Sequence, residues 1–261
     1  MSGFVSRLFV IAAALLLSVG VHAASPSSVE AEDSGPRQLF ITYRSEAKDR
    51  PAFRDYLSHE GRAPFDKLVR DGALKDYQIL FNPFNTSYTW DAMVVMEFAH
   101  YADTRRWNEL ERTSPGGLSA KGLTLARPVD TYAADLTWQG TASRAAGDDP
   151  VYYVIPYEYR SAAEYRKYIE FYVLPQVNGW MQDGALSSYR IYMNRYPVGK
   201  PWDSLFVFQY RDLDSFGRRD QVLGKVREGL KADPVWQKLN ETKQGIRSES
   251  ENTIAELLLP R

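Results

Sequence analysis

Apolar residues alternate along residues 38–44, where Leu39, Ile41 and Tyr43 share one face, and this period of two predicts a strand. Over residues 51–70 the period changes. Phe53, Tyr56, Leu57, Phe65 and Leu68 recur at helical spacing. Asp71-Gly72-Ala73-Leu74 follows, and a glycine just past the last turn supplies the left-handed cap that stops a helix. Further strands are predicted over 75–82 and 90–98. The latter is apolar on both faces, because Val94, Met96 and Phe98 alternate with Met93 and Val95, so it must be covered on two sides. A second helix starts near Asp103 and is stopped by Ser114-Pro115-Gly116-Gly117; residues 131–136 predict a last strand.

The same series then returns. A constant offset of 112 carries residues 39–104 onto a related segment without a gap, placing Asp71-Gly72-Ala73-Leu74 on Asp183-Gly184-Ala185-Leu186 and Trp90-Asp91 on Trp202-Asp203. Glu46/Glu158, Arg54/Arg166, Tyr56/Tyr168, Tyr77/Tyr189, Ile79/Ile191 and Asn82/Asn194 are further identities. The second copy has strands over 151–156, 187–194, 202–210 and 253–258, a helix over 163–182 and another from Asp214 towards Leu230. Between its last two elements the offset becomes 122, so about ten residues are gained near Asp233-Pro234-Val235-Trp236. A repeat this long is a folding unit in itself and not one turn of a solenoid.

The order β-α-β-β-α-β, twice over, is the split βαβ arrangement: an α+β fold of two tandem ferredoxin-like repeats, each an antiparallel sheet with two helices on one face. The bare sheet faces are apolar and need partners. Two copies in one chain supply each other, packing face to face as an α+β barrel with the helices outside. The predicted organisation is a signal peptide over 1–23, a flexible linker over 24–36, a first repeat over 37–138, an inter-repeat linker over 139–149 and a second repeat over 150–261.

Composition narrows the chemistry. Residues 8–21 are apolar behind Arg7 and before Val21-His22-Ala23, which reads as a secretory signal cut after Ala23 and predicts a periplasmic or secreted protein. The run is too short for a spanning helix, so no stable membrane anchor is expected. The sequence has no cysteine, which excludes thiol catalysis, disulfides and thiolate metal sites; a formal charge of −1 offers no footprint for nucleic acid. Only His59 and His100 remain after signal removal, so no metal site is predicted. Aromatic residues make up 13%, including 17 tyrosines, and point to large amphipathic surfaces inside the fold.

The stretch 168–175, the helix-ending Gly184-Ala185-Leu186, the aromatic strand over 189–194, the strand over 202–210 and Asp233-Pro234-Val235-Trp236 resemble the dimeric α+β barrel superfamily, here as a tandem fusion, and look closest to its NIPSNAP-like and antibiotic-biosynthesis-monooxygenase-like branches. The resemblance covers most of residues 38–260. It implies a pocket in each half between sheet and helices. The superfamily includes cofactor-free monooxygenases, isomerases, polyketide cyclases, haem-binding and haem-degrading proteins and non-catalytic binders, so the fold alone does not name a function.

Candidate residues follow from comparing the copies. His59-Glu60 aligns with Phe171-Tyr172, a polar pair where the other copy has aromatics, and the histidine is a candidate general base or axial haem ligand, with an edge-of-helix hydrogen-bonding role as the plain alternative. Tyr43, Tyr56, Tyr77 and Trp90 in the first copy, and Tyr153, Tyr168, Tyr172, Tyr189 and Trp202 in the second, are candidates to stack on a planar ligand. Asp91 and Asp203 read chiefly as carboxylates that satisfy backbone donors in the preceding loop. Three functions are compatible with these residues: binding of a small apolar or aromatic ligand with no predicted cofactor; a cofactor-independent monooxygenase, isomerase or cyclase, or a haem protein, using His59; and a structural module with both halves filled. The chain is expected to be a monomer or homodimer without a nucleic-acid partner.

Overall fold

The computed structural model describes residues 35–143, 146–196 and 202–258. The expected signal, and the expected linker up to residue 34, lie outside them. The first half runs β1 (Gln38–Ser45), α1 (Arg50–Ser58), a 3₁₀ turn (Glu60–Arg62), α2 (Ala63–Arg70), β2 (Leu74–Phe81), β3 (Ala92–Phe98), α3 (Thr104–Glu111), α4 (Ala120–Leu125) and β4 (Ala126–Thr141). The second runs β5 (Val151–Tyr159), α5 (Ala162–Tyr168), a π-helical turn (Ile169–Val173), α6 (Leu174–Asp183), β6 (Leu186–Asn194), β7 (Ser204–Tyr210), α7 (Leu213–Gly217), α8 (Arg219–Leu230), α9 (Pro234–Ile246) and then β8 (Arg247–Glu249) and β9 (Thr253–Leu257).

Within each half the strands lie in ferredoxin-like order: β4-β1-β3-β2 in the first, and β5-β7-β6 with the split pair β8 and β9 on the free edge of β5 in the second. The two sheets then join edge to edge. β4 outruns β1 and continues along β6, from Ala134 opposite Asn194 to Thr141 opposite Ser188, while β9 meets β2 at Leu80 and Phe81. Because β5 also pairs with β7, the sheet closes on itself as a barrel with the helices outside. Closure pairs the sheet edges where the two halves meet, along Ala134 to Thr141 of β4 and at Leu80 and Phe81 of β2, and so shortens the edge that could recruit another chain.

Side-chain alternation makes three cores from one sheet. Val94, Met96 and Phe98 of β3 face the first helix layer with Ile41, Tyr43, Phe53 and Phe65. Phe206, Phe208 and Tyr210 of β7 face the second with Tyr165, Tyr172 and Trp236. The alternate residues Met93, Val95, Leu205 and Val207 meet inside the barrel with Phe40, Val154 and Tyr192. This is the two-sided cover that the apolar third strands require.

Several expected boundaries shift. The helix predicted over 51–70 is broken, because Pro64 lacks the donor a continuous helix would use and Gly61 lies where a Cβ would come within 2.7 Å of the Tyr56 ring. In the second half the helix continues, but through a π turn immediately before Pro175, whose wider loop relieves the missing hydrogen bond. Gly72 and Gly184 take the left-handed conformation (φ 74° and 81°) that the Asp-Gly-Ala-Leu motif predicts. Gly184→Ala is therefore expected to cost about 1 kcal/mol, readable as a lower urea midpoint; an unchanged midpoint would contradict the capping role. The extra residues of the second copy lengthen α8 and α9. β4 covers far more than 131–136 and passes through residue 138 into the expected linker, since Arg127, Asp130 and Asp135 hide its alternation.

Register corrects the duplication itself. Tyr43 pairs with Ala92, and Tyr157 with Ser204, so β1 and β5 correspond at an offset of 114 while β3 and β7 keep 112. The turn entering α5 is shorter than that entering α1. A single gap-free offset thus fails at the first strand. Glu46 lies in a loop and Glu158 in a strand, so their identity is not structural equivalence.

Candidate functional site

The repeated Asn and Trp-Asp residues build the same clamp at one end of the barrel. Asn82 N donates to Asp91 O at 2.8 Å, its Nδ2 donates to Trp90 O at 3.1 Å, and its Oδ1 accepts from Phe84 N at 2.8 Å. Asn194 repeats this, with Asp203 O at 2.8 Å, Trp202 O at 2.9 Å and Tyr196 N at 3.1 Å. The aspartates then tie the clamp to the first strand of each half: Asp91 Oδ2 accepts from Ser45 N at 2.7 Å, and Asp203 Oδ2 from Tyr159 N at 3.0 Å. Buried backbone donors are satisfied in both halves.

The clamps hold Trp90 and Trp202 over the barrel mouth, around a cavity of about 440 Å³. Met93, Val154 and Leu205, each from a different strand, form its apolar floor. Trp202, only 3% exposed, stands edge-on to Phe40 and Tyr132, with ring centroids 5.6 and 5.4 Å away. On the rim, the hydroxyls of Thr89 and Thr253 join the two halves at 2.5 Å. Arg44, Arg127, Asp130 and Glu251 supply charge. Burial, and then a hydrogen bond to Asp130, push the Tyr132 phenol well above its usual range, so it remains protonated at neutral pH. Tyr88, 80% exposed, and the exposed Val129 extend an apolar lip outward.

The charges at this mouth are unequal between halves. Asp91 forms an ion pair with Arg50, whose other nitrogen donates to Asn82 O at 2.6 Å and Phe84 O at 3.2 Å. Burial, and next the nearby Arg44, lower the Arg50 pKa. In the second half Ala162 stands where helix register puts Arg50. Arg44, Arg127 and Tyr132 were missed by sequence reading. Their one visible signal is that Arg44 shares the strand face of Phe40 and Thr42, where a charge interrupts the barrel-facing positions.

Of the sequence candidates, Trp90 and Trp202 line this cavity. The seven tyrosines lie on the helix side of the sheet. Tyr43 donates to Gly116 O at 2.6 Å, Tyr56 accepts from Ser119 N at 3.0 Å, and Tyr77 donates to Asp66 at 2.5 Å. Tyr153 accepts from Asn252 at 2.9 Å, Tyr168 accepts from Arg247 at 3.2 Å, and Tyr172 donates to Asn240 at 2.9 Å; Tyr189 packs over Gly140. The hydroxyls of Tyr43, Tyr77, Tyr153 and Tyr168 tie helices and loops to the sheet, and those of Tyr56 and Tyr172 tie helices to their neighbours. His59 and Glu60 are on the outside: the imidazole, 55% exposed, contacts Asp55, and Glu60 pairs with Lys121 at 2.5 Å.

The sheet–helix spaces where the superfamily resemblance places pockets are occupied by side chains. In the first half Phe65 stacks on Trp107 at 6.0 Å. In the second, Tyr159, Tyr165, Tyr168, Tyr172 and Trp236 form a continuous column with successive centroids 4.6, 5.8, 5.1 and 5.0 Å apart. A haem between sheet and helices would displace these rings, and the His59 imidazole is turned away from them, so the residues present do not fit that group. Among the described residues no cluster of three or more His, Asp or Glu is placed to hold a metal ion, and no helix is long and apolar enough to cross a membrane.

No protein-family profile matches the chain, and no curated protein sequence matches it. Solved structures do. An anthrone oxidase-like protein superposes with a TM-score of 0.51 at 9% identity, over 87% of this chain and 92% of its own. A variant of chlorite dismutase from Candidatus Nitrospira defluvii gives 0.53 at 10% identity, over 84% of this chain and 90% of its own. At such identities the likeness establishes the α+β barrel fold and no chemistry.

Proposed function

We propose that this chain is a binding protein for a small, largely apolar or aromatic molecule, held in the mouth of the barrel. The observation that carries the reading is the 440 Å³ cavity with an apolar floor, two tryptophans and a few convergent polar groups, the composition of small-molecule sites in general. The signal-like segment supports export, and we read the chain as periplasmic or secreted. The residues of the second copy resemble the NIPSNAP-like and antibiotic-biosynthesis-monooxygenase-like branches, and we read the chain as related to them. A barrel closed within one chain needs no second copy to cover its sheets, which favours a monomer.

Nile red, a neutral apolar dye, tests the reading. Saturable one-to-one binding with quenched tryptophan emission is expected, weakened about tenfold by Trp90→Ala through loss of one aromatic wall, a change equivalent to about 1.4 kcal/mol. Absence of saturable binding, or identical binding by the variant, would remove the mouth as the site.

A further inference from the structure

We infer that the natural ligand of the barrel mouth is an amphipathic monoanion, an aryl or alkyl carboxylate whose apolar body lies on the cavity floor and whose carboxylate is held by Arg44. This rests on the reading of the mouth as a binding site and specifies what the site selects.

Three observations converge on Arg44. It projects into the cavity from the end of β1, and its Nη1 is buried without a hydrogen-bond partner. A buried donor left unpaired is costly, and a guanidinium nitrogen can be satisfied only by an acceptor. The nearest carboxylate is already committed: Asp91 lies 3.9 Å from Arg44 Nε, but one of its oxygens is taken by Arg50 and the other by Ser45 N. Two guanidiniums therefore share one carboxylate, leaving a surplus positive charge beside an apolar floor. A planar guanidinium matches the geometry of a carboxylate.

The remaining charges set the ligand's valence. Arg44 and Arg127 line both the cavity and a polar groove beside it. That groove also carries Glu46 and Asp49, and the cavity rim carries Asp130 and Glu251. One anionic oxygen pair beside Arg44 is compensated; a phosphate or a dicarboxylate would extend its second charge towards these acids. The surplus is confined to one side of the mouth, because under the offset of 114 the position of Arg44 is Glu158 in the second half.

The full mature chain is titrated with 2-naphthoate and with its neutral isostere 2-naphthamide, following tryptophan emission. The carboxylate is expected to bind at least about tenfold more tightly than the amide, with the preference shrinking at high salt. Arg44→Gln should abolish the preference by bringing carboxylate affinity down to the level of the amide in the same variant, and Arg44→Lys should restore part of it. Equal affinity of the wild-type chain for the two probes would overturn the inference while leaving the mouth as a binding site. Failure of both probes and of Nile red would overturn the site as well. The wild-type comparison decides the point even if a variant misfolds, and a preference that survives Arg44→Gln would assign the anion elsewhere.

Discussion

Asp91→Ala is expected to lower stability by about 3–5 kcal/mol, because it leaves the Arg50 guanidinium buried without its counter-charge. The loss is compounded locally. Ser45 N loses its acceptor at the same time, and Arg44, already near Arg50, becomes a second uncompensated cation. Asp203→Ala removes the equivalent carboxylate from the other half, where its hydrogen bond goes to Tyr159 N and helix register puts Ala162 in place of Arg50. Its cost should be about 1–2 kcal/mol, that of one buried donor left unpaired. Urea midpoints of the two variants distinguish the cases. The double substitution Asp91→Ala with Arg50→Met should recover much of the loss, since removing both members of a buried pair is far less harmful than removing one. Equal costs for the two aspartates would show that the ion pair contributes nothing beyond the backbone clamp.

The same pair shows what a sequence comparison can reach. The order of elements was legible because each has a local signature: alternation in β1, helical spacing in α1 and α2, a glycine that must be left-handed after them, and a third strand too apolar on both faces to be left uncovered. The Trp-Asp repeat was legible as a structural device, and the clamp is what it builds. The register change between β1 and β5 was hidden, since apolar positions in neighbouring strands stay apolar when shifted by two, and side chains keep the same face. Only the pairings with β3 and β7 reveal it.

The site itself was less legible, for a topological reason. The mouth is assembled from strand ends and loops of both halves, from residue 42 to residue 253, and its largest shares, residues 87–90 and 127–132, mix polar and apolar types without a motif. The contrast of His59-Glu60 with Phe171-Tyr172 drew attention instead to a helix. His59 and Phe171 both face solvent, Phe171 with 52% of its surface exposed. Glu60 falls in the 3₁₀ turn and points outward, while the π turn of the second half swings Tyr172 into the ring column. A difference in helix geometry accounts for the change of residue type there. The difference in charge at the mouth, Arg44 and Arg50 against Glu158 and Ala162, had no motif to mark it.

Trp90 and Trp202 are identical by repeat and should behave very differently when removed. Trp202 is almost wholly buried and closes the barrel's own core, edge-on to Phe40 and Tyr132. Trp202→Ala deletes an indole from a packed interior, and the cavity it leaves cannot collapse because the surrounding strands are fixed in a closed sheet; the expected loss is about 3–5 kcal/mol. Trp90 is only partly buried, packing against that core from the rim. Trp90→Ala should cost no more than about 1–1.5 kcal/mol, since a partly exposed ring removes less apolar area from water. Binding separates them in the opposite sense. Trp90 is a wall of the site, so its loss weakens Nile red in a protein that stays folded, whereas the Trp202 variant is limited by its stability. Denaturation midpoints measured beside dye titrations read both effects. If Trp90→Ala proves as destabilising as Trp202→Ala, the two halves close the mouth symmetrically, and the first tryptophan is part of the barrel's core and not a surface offered to a ligand.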